Sequence, residues 1–377
     1  MRLPLPLDSY RRTSPERLVN CYAEAKPADA KGEVALVRAP GITRIADLSA
    51  PGRGLTLFAG ALWGIAGFRL YRIDVGTGLI KNVGHINGTG RVSVASTMDR
   101  LCVLGGYTAY LVTSLGAVTK VTDVDFRTAT AVEFLDNYLL FIEASSGRFF
   151  SSDLNAPEDY DPLNFATAEG QPDDLVGLAA DHGQLFLAGA ASCELWANVG
   201  GAGFPFARVS NGLIELGCAA GKSIAKLDNS IFWLASDLTV RRLSGMTPQR
   251  VSTHGVEVAL QGYGDVRDAY GVSYTFGGHL HYALTVPGRG TWVYDVTTSR
   301  WHERKSYAQA HWEVIATAQF GVDVWAIHED GRVGVMQAGR YTEFGDPQVV
   351  SWTNAPLYMD GERVSLAEVE LSIKTQP

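Results

Sequence analysis

The chain has 377 residues, a formal net charge of −8, 46% hydrophobic residues and 41 glycines. This acidic balance gives no general affinity for nucleic acid. The sequence contains no apolar stretch near the roughly 18 to 20 residues that a transmembrane helix needs, and residues 1–12 lack the apolar region of a signal peptide. We therefore expect a protein made in the cytoplasm, without membrane insertion, that has enough apolar material for a large core.

The chain begins with an irregular arm. Residues 1–50 are polar and contain several prolines, apart from a short apolar run at Val34–Val37. We expect the arm to supply the strand that closes the fold, and Val34–Val37 is the nearest spare strand.

From residue 51 onward, one pattern recurs seven times: a tight turn, a hydrophobic run of six or seven residues that is often rich in aromatics, and a further strand-like run. The seven runs are Leu62–Gly67, Leu101–Gly106, Tyr138–Ala144, Gln184–Ala190, Ser230–Ser236, His279–Thr285 and Asp323–Glu329. Turns such as Asp99-Arg100, Asp136-Asn137 and Gly277-Gly278 stand where a hairpin needs residues that tolerate positive φ. Successive runs lie roughly 37 to 49 residues apart, which is the period of a four-stranded propeller blade.

The predicted fold class is all-β, with a propeller of about seven four-stranded blades over residues 51–346; six blades plus an extra sheet is the alternative. The fifth unit divides into four strand-like runs at 221–227, 230–236, 238–243 and 248–252. Hydrophobicity falls from the first run to the last, as expected where inner strands are covered and the outer edge meets water. Helical periodicity never extends beyond about two turns, so we expect little helix.

The last residues leave the blade period. Residues 347–377 follow the propeller, and Val369–Lys374 alternates like a new strand. We expect this segment to begin a C-terminal β-domain that the chain contains only in part.

Four cysteines, Cys21, Cys102, Cys193 and Cys218, are far apart and lack metal-binding or redox spacing. Free and mostly buried thiols are expected, rather than a disulfide pair.

Gly217–Ser223 resembles a phosphate-binding loop. The motif requires glycine at position 216, which is Leu216, and Lys222 and Ser223 precede a predicted strand instead of a helix. Nucleotide binding is therefore not expected there.

His279 and His281 share one face of a predicted strand, where together they could hold a metal ion. A third ligand is not placed by sequence, so a packed or hydrogen-bonded pair is favoured.

The segment Asp153–Asp174 concentrates seven carboxylates between the third and fourth units. It lacks the ligand spacing of an EF-hand calcium loop. We expect a single acidic loop that is solvated or contacts a partner.

Two carbohydrate functions stay open. Trp63, Trp196, Trp233, Trp292 and Trp325 recur at comparable positions, where they are expected to fill the core, although a sugar-binding propeller would expose such rings. A carbohydrate-active enzyme would need two carboxylates facing each other, with Asp228 and Asp268 as candidates. Nucleophile motifs are missing from the sequence, so we expect no catalytic activity and no cofactor or metal.

Ordered short motifs also run through most of the chain. They are Glu16–Glu24, Pro40–Ile42, Phe165-Ala166, Ala168–Gly170, Pro172-Asp173, Glu194–Trp196, Pro205-Phe206, Glu215–Cys218, Trp292–Asp295 and Trp301–Arg304. Together they resemble the packaged-DNA stabilisation, or tail hub, proteins of short-tailed bacteriophages. The segment 347–377 departs from that family, because its C-terminal β-domain is represented by about one strand.

The resemblance implies a structural virion protein of the phage tail, assembled in the host cytoplasm. In such a tail, about six copies form a ring below the portal and the head-to-tail adaptor. The ring surrounds the DNA exit channel, helps to retain packaged duplex DNA without reading its sequence, and contacts the tail needle or plug and the tailspikes or fibres. An acidic channel wall would let DNA pass, although the net charge could equally reflect solubility alone.

Loops that project from a rigid scaffold commonly carry contacts. The residues expected at subunit or adaptor interfaces are therefore Arg11, Arg12, Arg17, Tyr22, Glu158, Asp159, Asp161, Asp173 and Asp174.

Overall fold

The protein is a seven-bladed β-propeller. The structure, a computed structural model, describes residues 8–9, 16–26, 34–168, 170–201 and 203–354. It is 55% strand and 4% helix, with seven four-stranded blades in a ring. The predicted propeller of seven blades is confirmed, and the alternative with six blades is wrong.

Each blade is an antiparallel sheet whose first strand lies innermost. Blade 1 contains Gly52–Phe58, Ala61–Ala66, Arg69–Ile73 and Ile80–His85; blade 2 contains Ser93–Ser96, Arg100–Gly105, Thr108–Thr113 and Val118–Lys120; blade 3 contains Ala129–Leu135, Tyr138–Glu143, Arg148–Ser151 and Phe165–Thr167. Blade 4 contains Leu175–Asp181, Gln184–Gly189, Cys193–Asn198 and Phe206–Ile214; blade 5 contains Ala225–Lys226, Ile231–Leu234, Val240–Ser244 and Thr247–Arg250; blade 6 contains Tyr270–Phe276, His279–Val286, Gly290–Asp295 and Arg300–Arg304. Blade 7 contains Val314–Phe320, Asp323–His328, Arg332–Gln337 and, from the arm, Gly41–Asp47. Each of the seven predicted hydrophobic runs is the second strand of a blade.

Two short helices complete the ring. A single 3₁₀ turn, Gly221–Ser223, precedes blade 5, and an α-helix, His254–Gly262, connects blades 5 and 6. Val256 and Leu260 of the α-helix are fully buried, so the helix covers the space between these two blades.

Backbone conformation explains the hairpin tips. Asp136 and Asn137 have φ angles of 49° and 69°, as expected for the turn that matches strand twist. A hairpin tip also lies at the predicted Asp99-Arg100, but the positive φ expected there is wrong, since neither residue has one. There the reversal is held by Thr97, whose hydroxyl oxygen accepts hydrogen bonds from the backbone N–H groups of Asp99 (3.3 Å) and Arg100 (3.0 Å).

The hydrophobic core is divided into layers between neighbouring blades. Trp63, Leu101 and Val103 pack between blades 1 and 2. Between blades 4 and 5, the rings of Phe186 and Trp233 lie 5.1 Å apart. All five repeated tryptophans are at most 9% exposed, which confirms that they fill the core.

Closure of the ring depends on the arm. The outer strand of blade 7 is Gly41–Asp47, which pairs antiparallel with Arg332–Gln337. The assignment of this role to Val34–Val37 is wrong, because Val34–Arg38 pairs with Cys21–Ala25 in a separate two-stranded sheet. An outer strand has one face buried and one wet, so the closing strand is amphipathic, with Ile42 fully buried and Arg44 exposed.

The chain segments that precede and follow the propeller also pair with each other beside the outer strand of blade 6. Arg17–Val19 runs parallel to the outer strand of blade 6, with Val19 opposite Glu303. Ser351–Thr353 pairs antiparallel with Arg17–Val19. Short strands at Thr342–Glu343 and Asp346–Pro347 extend blade 7. Val369–Lys374 lies outside the described residues. The domain boundaries at residues 50 and 346, and the C-terminal β-domain after residue 346, stay predictions.

Removal of one repeated indole tests the layered core. Trp233→Ala should lower the free energy of unfolding by about 3 to 5 kcal/mol, because it leaves a cavity between blades 4 and 5. Denaturant titration measures the loss. Trp352→Ala is the control, since Trp352 is 40% exposed and its removal should cost far less. Equal losses in the two variants would contradict the layered core.

Two deletions test the closing strand. Removal of residues 1–38 leaves Gly41–Asp47 in place and should preserve a cooperative thermal transition. Removal of residues 1–47 leaves the edge of Arg332–Gln337 unpaired, so we expect loss of the transition and aggregation. Circular dichroism melting and size-exclusion chromatography compare them, and indistinguishable behaviour of the two deletions would argue against closure by this strand.

Candidate interaction surface

The two ends of the propeller carry different segments. Because neighbouring strands within each blade are antiparallel, turns between first and second strands and turns between third and fourth strands emerge at one end, which we call the turn face. The turn face comprises the tips 59–60, 97–99, 136–137, 181–183, 228–229, 277–278 and 321–323. It also includes the outer turns 74–79, 114–117, 152–164, 199–201 with 203–205, 245–246 and 296–299. The opposite end, the crossover face, carries the connections between blades.

Carboxylates mark the inner tips of the turn face. Five of the seven tips carry an aspartate, and those of blades 2, 3, 5 and 7 are exposed: Asp99, Asp136, Asp228 and Asp323. Two of these carboxylates form ion pairs with arginines. Asp99 pairs with Arg100, and Asp228 lies 2.6 Å from Arg242. The turn face therefore presents a ring of acidic tips that is only partly neutralised.

Large apolar side chains are also exposed on the turn face. Met98 is 95% exposed and Val322 is 92% exposed, both at inner tips. Leu79, Leu115 and Leu163 are at least 71% exposed on outer turns. Apolar side chains rimmed by charges are typical of surfaces that contact other proteins.

The acidic segment Asp153–Asp174 is not one loop. Phe165–Thr167 interrupts it as the outer strand of blade 3, paired with Arg148–Ser151. The prediction of a single loop between units is therefore wrong, because a three-residue strand is too short to show a period. Glu158, Asp159 and Asp161 belong to the turn face.

Asp173 and Asp174 lie on the crossover face instead. One carboxylate oxygen of Asp173 accepts hydrogen bonds from the backbone N–H groups of Ala191 (2.5 Å) and Ser192 (3.2 Å). Asp173 thereby fixes a turn of blade 4, while Asp174 is exposed.

The loop 152–164 on the turn face is held by a buried aromatic side chain. Tyr160 is 6% exposed, and its ring lies 5.0 Å from that of Phe126 in the layer between blades 2 and 3. Its hydroxyl donates to the Pro157 carbonyl (2.9 Å), and burial raises the pKa of Tyr160. The adjacent carboxylates are therefore presented on a rigid loop.

The predicted residues of the arm have partners within the chain. Arg17 makes two hydrogen bonds to the Glu303 carboxylate, at 2.7 and 3.0 Å. Tyr22 is buried against blade 6. Arg11 and Arg12 lie outside the described residues. A role of these four residues in contacts with another chain stays a prediction.

The central channel of the propeller is crossed by a charged side chain. Arg91, which precedes blade 2, lies 4.5 Å from the centre of the Tyr270 ring. It reaches the carbonyl oxygens of Lys222 (3.5 Å), in the 3₁₀ turn before blade 5, and of Gly271 (3.4 Å) in blade 6. Burial lowers the pKa of Arg91 to about 10. Glu133 of blade 3 and Lys226 of blade 5 form a further contact of 3.1 Å, which spans blade 4. Sequence patterns could not reveal these contacts, because they join blades far apart in the chain.

The remaining candidate motifs have structural roles. Ser223 is fully buried, and its hydroxyl donates to the Ala220 carbonyl (2.6 Å). A Cβ at Gly221 would lie 1.7 Å from the Val176 carbonyl oxygen, so this glycine permits close contact between blades 4 and 5. The carboxylates of Asp228 and Asp268 lie on opposite faces and do not form a catalytic pair.

The two predicted histidines form a packed and hydrogen-bonded cluster, as favoured. His279 lies 2.7 Å from Asp295 and 2.6 Å from Glu24. The structure adds His302, whose ring lies 5.6 Å from that of His281. Within the described residues, no group of three or more His, Cys, Asp or Glu side chains is arranged to hold a metal ion.

All four cysteines are free and buried, which confirms the prediction from their spacing. In the part of the chain that the structure describes, the helices are too short to cross a membrane.

The rigid-loop interpretation can be tested at its anchor. Tyr160→Ala removes the ring that holds the loop 152–164, so we expect faster cleavage of this loop by a protease specific for acidic residues. Limited proteolysis followed by mass spectrometry locates the cut. Tyr107→Ala, at a residue that is 60% exposed, should leave the cleavage rate unchanged. Equal rates for the wild type and Tyr160→Ala would show that Tyr160 does not hold the loop.

Comparisons with known proteins support the same architecture. A family model described as "Bacteriophage P22 Gp10, beta-propeller" matches residues 8–346. No curated protein matches the chain significantly.

Two solved structures illustrate the likeness of fold. A chain of the mitotic checkpoint complex is similar with 13% identity and a TM-score of 0.51, covering 83% of this chain and 98% of that one. The WD40 propeller domain of Doa1 has 12% identity and a TM-score of 0.50, covering 79% and 97%. At such low identity, this likeness shows the fold alone.

Proposed function

Because the chain belongs to the family of phage stabilisation propellers described by P22 Gp10, we propose that it is a non-enzymatic tail hub subunit. The family consists of phage structural proteins with a propeller fold, which suggests a component of the virion. In our proposal, about six copies form a ring below the portal and the adaptor, enclose the DNA exit channel and help to retain the packaged genome. The match over residues 8–346 is the observation that carries this proposal.

The blocked central channel of the propeller favours a position of the DNA outside each propeller. The contacts of Arg91 with Gly271 and Tyr270 of blade 6 cross the channel and leave no passage for a duplex, whose major groove alone is about 12 Å wide. We therefore place the DNA in the space enclosed by neighbouring subunits, outside each propeller. Retention would be steric, since an acidic wall binds phosphates poorly.

The turn face is the surface that we assign to docking. It combines acidic tips with exposed apolar side chains, and the loop 152–164 holds Glu158, Asp159 and Asp161 in fixed positions. Suitable partners present basic surfaces with apolar pockets, which suits a neighbouring subunit, the adaptor, the needle or plug, or a spike or fibre. Charge complementarity would set orientation and speed of assembly more than total affinity.

A carbohydrate-binding function has less support. The repeated tryptophans that such a function would expose are buried in the core.

Deletion of the gene tests the proposed function. Particles without this protein should package DNA and then leak it, which nuclease protection and quantitative DNA assays of purified particles would show. Knockout particles that keep their genomes and infect normally would refute the proposal, as would a purified protein that hydrolyses a glycan.

Complementation with charge variants then tests the turn face. Asp159→Lys should reduce assembly onto particles by tenfold or more, because it reverses a fixed charge at the docking surface. Asp268→Lys, at an exposed position on the crossover face, is the matched control and should assemble normally. Equal incorporation of both variants would exclude a docking role for Asp159.

A further inference from the structure

The arm forms a small sheet that covers a histidine cluster on blade 6. We call this sheet the latch; it consists of Cys21–Ala25 paired with Val34–Arg38. One side of the latch, with Cys21 and Ala23, packs against Leu18 and Val350. The other side carries Tyr22 and Glu24, which contact blade 6.

Tyr22 is the centre of the contact. Its ring lies 4.8 Å from the ring of His279, 5.6 Å from His281 and 5.7 Å from His302. All three histidines are at most 5% exposed. Undocking of the latch would therefore admit water to three imidazole rings at once.

Two of the buried imidazoles are incompletely hydrogen-bonded. Nδ1 of His281 and Nε2 of His302 have no hydrogen-bond partner among the described residues. A protonated imidazole has N–H donors on both ring nitrogens. Protonation in the docked state would thus leave a buried charge with an unsatisfied donor, which is costly.

The surrounding charges do not remove this cost. Asp295 pairs with His279 at 2.7 Å, and Glu24 reaches the other nitrogen of the same ring. Arg304 is fully buried nearby, where it contacts the Tyr274 hydroxyl at 3.3 Å and Glu343 at 3.7 Å. His281 and His302 therefore share their environment with a permanent cation.

We propose that the latch is a pH-dependent closure, which docks on blade 6 at neutral pH and is released in mild acid by protonation of His281 and His302. The proposal concerns this chain alone and does not rest on the proposed function. Release would also uncover the outer part of blade 6, beside the strand Arg300–Arg304.

The direction follows from the pKa values in the docked state. Burial, with the neighbouring His302, holds the pKa of His281 well below its usual value. Burial, with the Arg304 guanidinium, lowers the pKa of His302 to about 3. A histidine in water has a pKa near 6.5. The undocked state therefore takes up more protons, so docking is strongest above about pH 7 and weakens as the pH falls below 6.5.

The expected size can be calculated. Between pH 7.5 and 5.5, each histidine weakens docking by at most about tenfold, or at most about a hundredfold together. Asp8 on the same arm acts in the opposite direction, because burial raises the pKa of its carboxyl to about 6. Its protonation favours docking by about fourfold over this range, which leaves a net weakening of at most about 25-fold.

Hydrogen exchange measured by mass spectrometry tests the latch in the full chain. Exchange times are scaled for the intrinsic pH dependence, and the buried strand Gln184–Gly189 serves as the internal reference. Protection of Cys21–Ala25 should fall at least tenfold from pH 7.5 to pH 5.5. In the double variant His281→Phe and His302→Phe, protection should not fall over this range, because only the opposite effect of Asp8 remains. Unchanged wild-type protection, or an equal fall in the double variant, would overturn the proposal.

Two further measurements keep the test decisive. His254→Phe removes an exposed histidine and should behave like the wild type; loss of the pH response in this variant would also overturn the proposal. If the double variant does not fold, NMR of ¹³C-labelled histidine in the wild type follows all eight histidines. Normal titration of His281 and His302 near pH 6.5 with the latch still protected would contradict the mechanism.

Discussion

The strand Gly41–Asp47 pairs with Arg332–Gln337 and so joins the beginning of the chain to its last blade. Without this pairing, blade 7 would have three strands and an open edge. The large layers of the core lie between neighbouring blades, so an opened ring would expose the layer between blades 7 and 1. The fold thus depends on one contact between residues nearly 300 positions apart, which is slow to form but covers the free edge of Arg332–Gln337 once made.

Buried charges beside the closure fasten the arm to two blades. Arg304 of blade 6 donates a hydrogen bond to the Pro40 carbonyl at 3.0 Å, and its guanidinium lies 4.1 Å from the ring centre of Trp312. Glu343 accepts a hydrogen bond from the Trp312 indole, and burial raises the pKa of Glu343. A buried pair of this kind adds little stability by itself but makes wrong arrangements expensive. It therefore favours a single docked position of the arm.

The rigid ring holds the surface loops in fixed positions. The turn face can present Glu158 and Asp159 in fixed positions because Tyr160 is packed between blades 2 and 3. Arg91 reaches across the centre of the ring to Gly271 of blade 6, which leaves the outer surfaces of the propeller accessible.

Local sequence determined the parts of this protein that repeat. Hydrophobic runs and turn residues predicted the second strand of all seven blades, because strand burial and positive φ act over a few neighbouring residues. The short strand Phe165–Thr167, the choice of Gly41–Asp47 over Val34–Val37 and the meeting of Tyr22 with His302 were decided only by tertiary structure. Each depends on partners tens to hundreds of residues away, and a pattern within one segment contains no information about which distant surface will cover it.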